Sequence, residues 1–265
     1  MLRVLALATL AIAAWAQGTG PSYSAAGLVH AATNLPGPLA PNTIATLYGS
    51  NLCYNTVAVA QSDIRSDTLP TKLGGVRILF ENSTPAPLYY VSPTQINFLI
   101  PASRKPGEWQ IQVVRDSTAG PLIPFTIAVV APGLFQSKSS AVATHADGSA
   151  VNADARAHPG EAIVLYATGL GETTSTDPIE DGKLVSAAAD LQSIRIRRFT
   201  DFSILLNGAP VDGERILWAG LAPGFAGLYQ INLQLPDALD SDPDIRIALS
   251  GQLSPEGVKL AAASK

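Results

Sequence analysis

The sequence predicts an all-β chain built from two tandem β-sandwich domains, and three observations predict it. The chain matches itself in two ordered blocks, its apolar residues alternate with a period of two, and turn residues separate the alternating runs. With 20 prolines, 22 glycines and few charges among 265 residues, the composition favours strands and turns over helices.

The self-match is the most informative of the three. Residues 41–52 align with 159–170: Pro41 with Pro159, Leu47-Tyr48 with Leu165-Tyr166 and Leu52 with Leu170, at a constant offset of 118. Further on, Gln95-Ile96-Asn97 and Pro101 align with Gln230-Ile231-Asn232 and Pro236, at an offset of 135. Between these anchors, residues 76–80 correspond to 202–206. The difference in offset places insertions in the second copy, within residues 173–189 and before Tyr229.

Strand period is visible inside each block. Ile96, Phe98 and Ile100 alternate with Asn97 and Leu99, and Ile231, Leu233 and Leu235 alternate with Asn232 and Gln234. Trp109, Ile111 and Val113 form another apolar face, as do Ile245, Ile247 and Leu249. Such strands put one face on a core and one toward water, which places Leu99 outward and Trp109 inward. Turn signals such as Lys105-Pro106-Gly107 and Asn207-Gly208 separate them. About seven runs in each half fit two immunoglobulin-like sandwiches of roughly 100 residues better than one barrel.

The first sandwich, with an N-terminal segment, is expected over 17–131 and the second over 132–265, meeting at Ala131-Pro132-Gly133. That junction has no flexible linker composition, so the domains are expected to be packed or stiffly coupled.

Residues 1–16 read as a signal peptide. Arg3 precedes an apolar run too short to span a bilayer, and Ala14-Trp15-Ala16 fits a cleavage site. The mature part, about 250 residues, is long enough for two ordinary domains. It is expected to be secreted, periplasmic or at the cell surface, with no membrane association after cleavage. The net charge of −4 becomes about one unit more negative without Arg3, which offers no footprint for nucleic acid. The single cysteine, Cys53, cannot form an internal disulfide and is expected to be a small buried apolar residue.

Four segments carry a family resemblance: Tyr90-Val91-Ser92-Pro93-Thr94-Gln95-Ile96-Asn97, Ala131-Pro132-Gly133-Leu134-Phe135, Pro159-Gly160 with residues 164–171, and residues 219–232. On these the chain resembles a family of uncharacterised C-terminal regions of secreted acidobacterial proteins, related to the IPT/TIG immunoglobulin-like fold. The resemblance implies fold and export; it brings no assigned activity and no catalytic or ligand residues. In the family this region usually follows other domains, whereas almost nothing precedes it here, which points to a small stand-alone secreted module.

Candidates for chemistry are few. His30, His145 and His158 lack metal-ligand spacing and read as loop histidines, and Ser149 reads as a turn residue rather than a nucleophile. Asp237, Asp240, Asp242 and Asp244 could offer oxygens to calcium, although solvated acidic turns have the same composition. The repeated Gln95/Asn97 and Gln230/Asn232 read as scaffold, amides bonding to neighbouring loop backbone. Tyr54, Tyr90 and Trp218 are the candidate binding aromatics, for stacking on sugar rings, yet aromatics make up only 6% of the chain. The basic run Arg195-Ile196-Arg197-Arg198 reads as the solvent face of a strand.

No cofactor is expected and no catalytic motif is found. The expected role is a non-enzymatic module, structural or protein-interacting, at the cell exterior. A carbohydrate-binding module is the alternative, and a hydrolase at the domain junction using His145 or His158 a third reading. Partners are therefore a protein or a polysaccharide, and the sequence leaves the oligomeric state open.

Overall fold

The computed structural model describes residues 20–175 and 180–264; the signal peptide predicted over 1–16 lies outside the described residues. The chain is all-β, two immunoglobulin-like sandwiches in tandem. Alternation in the sequence becomes alternation in burial: along Gln95–Leu99, Ile96 and Phe98 are fully buried while Gln95 and Asn97 are not.

The first sandwich packs two sheets. One has the order β1 (Ser22–His30), β2 (Ile44–Ser50), β7 (Gln95–Leu99), β6 (Leu88–Val91) and β3 (Val57–Ala58). The other runs β10 (Ile123–Ile127), β8 (Gly107–Arg115), β4 (Val76–Phe80) and β5 (Thr84–Pro85), with β9 (Thr118–Ala119) beside β8. Their inner faces share one core, with Leu47, Ile78, Phe80, Ile96, Phe98 and Ile111 fully buried.

The second sandwich repeats the plan. One sheet has the order β11 (Gly133–Leu134), β15 (Ala162–Thr168), β19 (Tyr229–Gln234) and β18 (Ile216–Leu221), with β14 (Ala143–His145) also on β15. The other runs β17 (Ala209–Pro210), β16 (Phe202–Leu206), β20 (Ile245–Leu249) and β21 (Gln252–Leu253), and β12 (Gln136–Ser137) and β13 (Ser140–Ala141) form a small hairpin. This core is separate from the first and draws on residues from Val130 to Ala262.

Register carries the duplication to the single residue. Leu47 pairs with Ile96 in the first copy and Leu165 with Ile231 in the second, as the two sequence offsets require. Val76 faces Arg115 as Phe202 faces Leu249. The bulge is repeated too: one extra residue, Tyr89 or Leu217, interrupts the pairing of β6 with β7 and of β18 with β19. Tyr90 and Trp218 consequently occupy equivalent ladder positions opposite Asn97 and Asn232.

Three expectations need correction. Leu99, in the water-facing phase of β7, is buried, because its outer face meets Leu69 and Ala226 instead of solvent. Trp109 lies half-buried at the rim of the core, its indole N–H donating to the Lys105 carbonyl at 2.9 Å. The repeated amides do not reach loop backbone: Gln95 Nε2 donates to Asn97 Oδ1 at 2.8 Å, and Gln230 Nε2 to Asn232 Oδ1 at 3.1 Å. Residues two apart on a strand share a face, so each pair satisfies itself.

Candidate functional site

The two sandwiches meet over a tight junction, and the repeated motifs supply it. The chain leaves β15 through Thr168-Gly169-Leu170-Gly171. Gly169 and Gly171 have φ of +82° and +79°, a region glycine enters without penalty. The linker lies directly on this turn. A Cβ placed on Gly169 would sit 1.9 Å from the Ala131 carbonyl oxygen, and one on Gly171 2.6 Å from that of Val129. From the other motif, Gly227 approaches the first domain equally closely, 2.2 Å from Leu99 Cδ1 and 2.6 Å from the Asn42 carbonyl oxygen. Backbone therefore packs on backbone at these glycines, with the Leu99 side chain pressed against Gly227.

Polar groups inside this contact are satisfied across it. Thr168 is fully buried; its Oγ1 accepts from the Ile44 N–H at 3.0 Å and donates to the Gly227 carbonyl at 2.7 Å. Tyr89, set out of register by the bulge, donates its hydroxyl proton to the Ala226 carbonyl at 2.5 Å and accepts from the Ala226 N–H at 3.0 Å. Burial pushes its phenol up to about 12, so it remains a neutral donor. The inserted segment joins in: Leu69 N–H donates to Gly182 O, and Leu184 N–H to Asp67 O. Ser103 also donates to Asp181, through its N–H at 2.9 Å and its hydroxyl at 2.7 Å. Residues 176–179 of the predicted insertion lie outside the described residues.

His30 overturns the reading of the histidines as loop residues. It ends β1 and is buried. Its Nδ1 accepts from the Ala32 N–H at 3.3 Å while Nε2 faces the Ala131 carbonyl at 3.0 Å, so the ring is neutral with its proton on Nε2. Desolvation, opposed by the Ala131 and Thr168 backbone, takes its pKa down to about 4.

His145 is its counterpart, since His30 pairs with Ala45 and His145 with Ile163 at equivalent places on the two ladders. Its wiring is opposite. Nδ1 is 2.5 Å from Glu161 Oε1 and Nε2 is 3.3 Å from the Ala155 carbonyl, so both nitrogens face acceptors, an arrangement that favours the imidazolium form. The hydrogen bond to Glu161 raises its pKa. A raised folded value stabilises below the unfolded value of about 6.5 and is lost as pH climbs through the folded one. Glu161→Gln should lower the His145 value in an NMR ring titration; an unchanged titration would refute this wiring. His158 is exposed. With both ring nitrogens of His145 occupied, the dyad offers no free base to a hydrolytic reaction.

The other candidates are dispersed. Asp237 pairs with Arg215 at 2.7 Å, Asp240 accepts from Asn207 Nδ2 at 2.7 Å, and Asp244 lies 3.5 Å from Lys259. Arg156, at 2.5 Å, holds the Asp242 carboxyl below the usual carboxylate range. Each carboxylate has its own partner, and among the described residues no group of three or more His, Cys, Asp or Glu is placed to hold a metal.

Tyr54 is exposed and lies over the Arg115 guanidinium, 4.1 Å from ring centroid to Cζ. Tyr90 is half-buried, and Trp218 is half-buried with its indole N–H donating to the Leu191 carbonyl at 3.3 Å. Cys53 is buried and donates to Gly74 O at 3.3 Å. The basic run has the alternation expected of a solvent face, with Arg197 and Arg198 exposed, but it pairs through isolated bridges. It extends along β18, where Ile194 and Ile196 face the core and Arg195 lies over the Phe199 ring.

Beside the junction opens a cleft of about 630 Å³ between the 30–38 turn, the linker and β21. Three exposed aliphatic side chains line it, Leu35, Val129 and Leu253, together with Pro36 and Pro255; Arg198 is its one charged residue. It presents contact surface, with the edge of His30 at its floor, and no Phe, Tyr or Trp lines it.

No protein-family model matches the sequence, and no curated protein matches it. Among solved structures the chain is similar to SGBP-B from a xyloglucan utilization locus of Bacteroides uniformis, with 11% identity over 92% of this chain and 50% of that one, at a TM-score of 0.26. SGBP-B from a mixed-linkage glucan utilization locus of Bacteroides ovatus aligns at 13% identity over 85% and 44%, at 0.34. The tandem Ig repeats of Dlar align at 10% over 94% and 97%, at 0.20. The chain spans half or less of the length of the two SGBP-B proteins. Likeness this remote carries no activity across to this chain. Among the described residues no helix is long and apolar enough to cross a membrane.

Proposed function

We infer that the chain is a non-enzymatic extracellular module in a structural or protein-interaction role, and that it works as one stiff two-domain unit. The observation that carries this reading is the junction. Three motif stretches, the 131–133 linker, the 168–171 turn and residues 226–227, hold one sandwich against the other, through glycine backbones and the buried Thr168 hydroxyl. A catalytic domain concentrates polar groups around an open cavity; here they are enclosed between domains. Stiffness serves a module that sets a distance or presents a fixed surface to a partner.

Small-angle scattering at neutral pH tests the stiffness, and the expected result is one narrow interdomain separation. A broad distance distribution would remove this reading. Affinity electrophoresis against a polysaccharide panel tests the carbohydrate alternative, using the parent and Tyr54→Ala. Retardation that disappears in the variant would replace the proposed role with sugar binding through Tyr54.

A further inference from the structure

We propose that His30 is an acid-sensitive latch between the two sandwiches, holding the linker when neutral and releasing it when protonated. The inference rests on the stiff-unit reading above. In the neutral ring, Nε2–H donates to the Ala131 carbonyl, while Nδ1 receives the Ala32 N–H. A second proton has to go on Nδ1, where it would point at that N–H. Two donors would then face each other in a buried site, and the Ala32 N–H would lose its acceptor.

Packing gives the ring no easy escape. A Cβ on Gly133 would lie 2.4 Å from its Cε1, and one on Gly169 2.9 Å from its Nε2, so the ring fills the space between β11 and the Gly169 turn. No counter-charge is at hand. Ala45 on β2, Ala32 and Thr33 in the turn, Ala131 in the linker, Gly133 on β11 and Thr168-Gly169 after β15 are all uncharged. Across the cleft, Arg198 is the one charged side chain that lines the cavity with His30; it is paired with Asp201 at 3.9 Å, which also accepts from the Ser250 hydroxyl at 3.3 Å, so that carboxylate is already engaged away from the ring. Relief comes from swinging the ring toward the cleft, which breaks its bond to the linker.

The sign follows from the lowered value. Stability conferred by neutral His30 is complete above the unfolded value of about 6.5 and is lost as pH falls through about 4. His145, at the same position in the second copy, serves as an internal control, because its wiring already accommodates two protons. The other ionisable groups at the junction are exposed or half-buried and engaged with partners of their own. They are Asp181 bonded to Ser103, Glu172 paired with Lys105 and Arg197, and Lys183 bonded to Ser66.

The experiment is small-angle scattering of the full chain at about pH 7, 5 and 3.5, with NMR titration of the histidine rings. Wild type should be compact at neutral pH and lose its fixed interdomain separation as the His30 ring protonates, with both sandwiches still folded. His30→Gln, which keeps an N–H donor but does not titrate, should stay compact at the pH that opens wild type. The double variant Asp181→Asn, Glu172→Gln should open at the wild-type midpoint. That comparison keeps the proposal testable if His30→Gln does not fold. Opening of His30→Gln together with wild type would overturn the latch, as would a midpoint displaced in the double variant or a compact wild type with His30 protonated. Flexibility already at neutral pH would instead overturn the stiff-unit reading.

Discussion

Gly169→Ala is expected to separate the two sandwiches or to cost about 3 kcal/mol or more of stability, from left-handed backbone strain, overpacking and lost hydrogen bonds together. The φ of +82° disfavours any side chain, and the new Cβ would fall 1.9 Å from the Ala131 carbonyl oxygen. That oxygen belongs to the linker and can move only by giving up two contacts. One is the 2.8 Å bond from Ala131 N–H to Gly169 O, the other the 3.0 Å bond from His30. Gly208→Ala is the matched control, with φ of +80° and nothing within 4 Å of its Cβ, so it isolates the backbone term. Urea unfolding of the parent should show one cooperative transition. In Gly169→Ala it should show two, or one at a much lower midpoint; equal midpoints for the two glycine variants would contradict the packing described here.

Thr168→Val should cost about 2–3 kcal/mol although volume and shape are kept, because buried polar groups lose their partners. The Ile44 N–H and the Gly227 carbonyl both depend on the threonine hydroxyl, and the site is closed to water. Ser50 holds the equivalent place in the first copy and is exposed, so Ser50→Ala should stay within about 0.5 kcal/mol of the parent. The contrast makes the measurement specific: a similar small loss at both positions would show that the buried hydroxyl does not couple the domains. Chemical denaturation with tryptophan fluorescence gives the comparison directly.

Much of the fold was legible because both domains were built on one pattern. Two offsets, read from Leu47-Tyr48 and from Gln95-Ile96-Asn97, matched each strand to its equivalent in the other copy, and the ladders pair Leu47 with Ile96 and Leu165 with Ile231 in agreement with both. Period two marked Ile96, Phe98, Ile231 and Leu233 as core, since burial of one strand face is a local property. The site was less legible. In the sequence the Ala-Pro-Gly and Thr-Gly-Leu-Gly motifs carry only a family resemblance, while their task is to bring backbone against backbone across the junction. A signal was available for the histidines: His30 and His145 precede Tyr48 and Tyr166, the matching tyrosines, by 18 and 21 residues, close enough to align. They passed for loop residues because neither lies in an alternating apolar run.

By itself the sequence determined the all-β class, the duplication and most of the two cores, which follow from internal self-match, apolar period and turn chemistry along the chain. Tertiary structure decided what the repeated positions are used for. Leu99 is buried and Gln234, its equivalent, is exposed, because only the first copy has a neighbour on that side. The His30 site favours the neutral ring and the His145 site the charged one for a related reason: one meets a backbone N–H and a linker carbonyl, the other a carboxylate and a carbonyl. Burial and hydrogen-bond partners across a domain boundary are set by packing between distant segments, and a repeat that treats both copies alike cannot encode that difference.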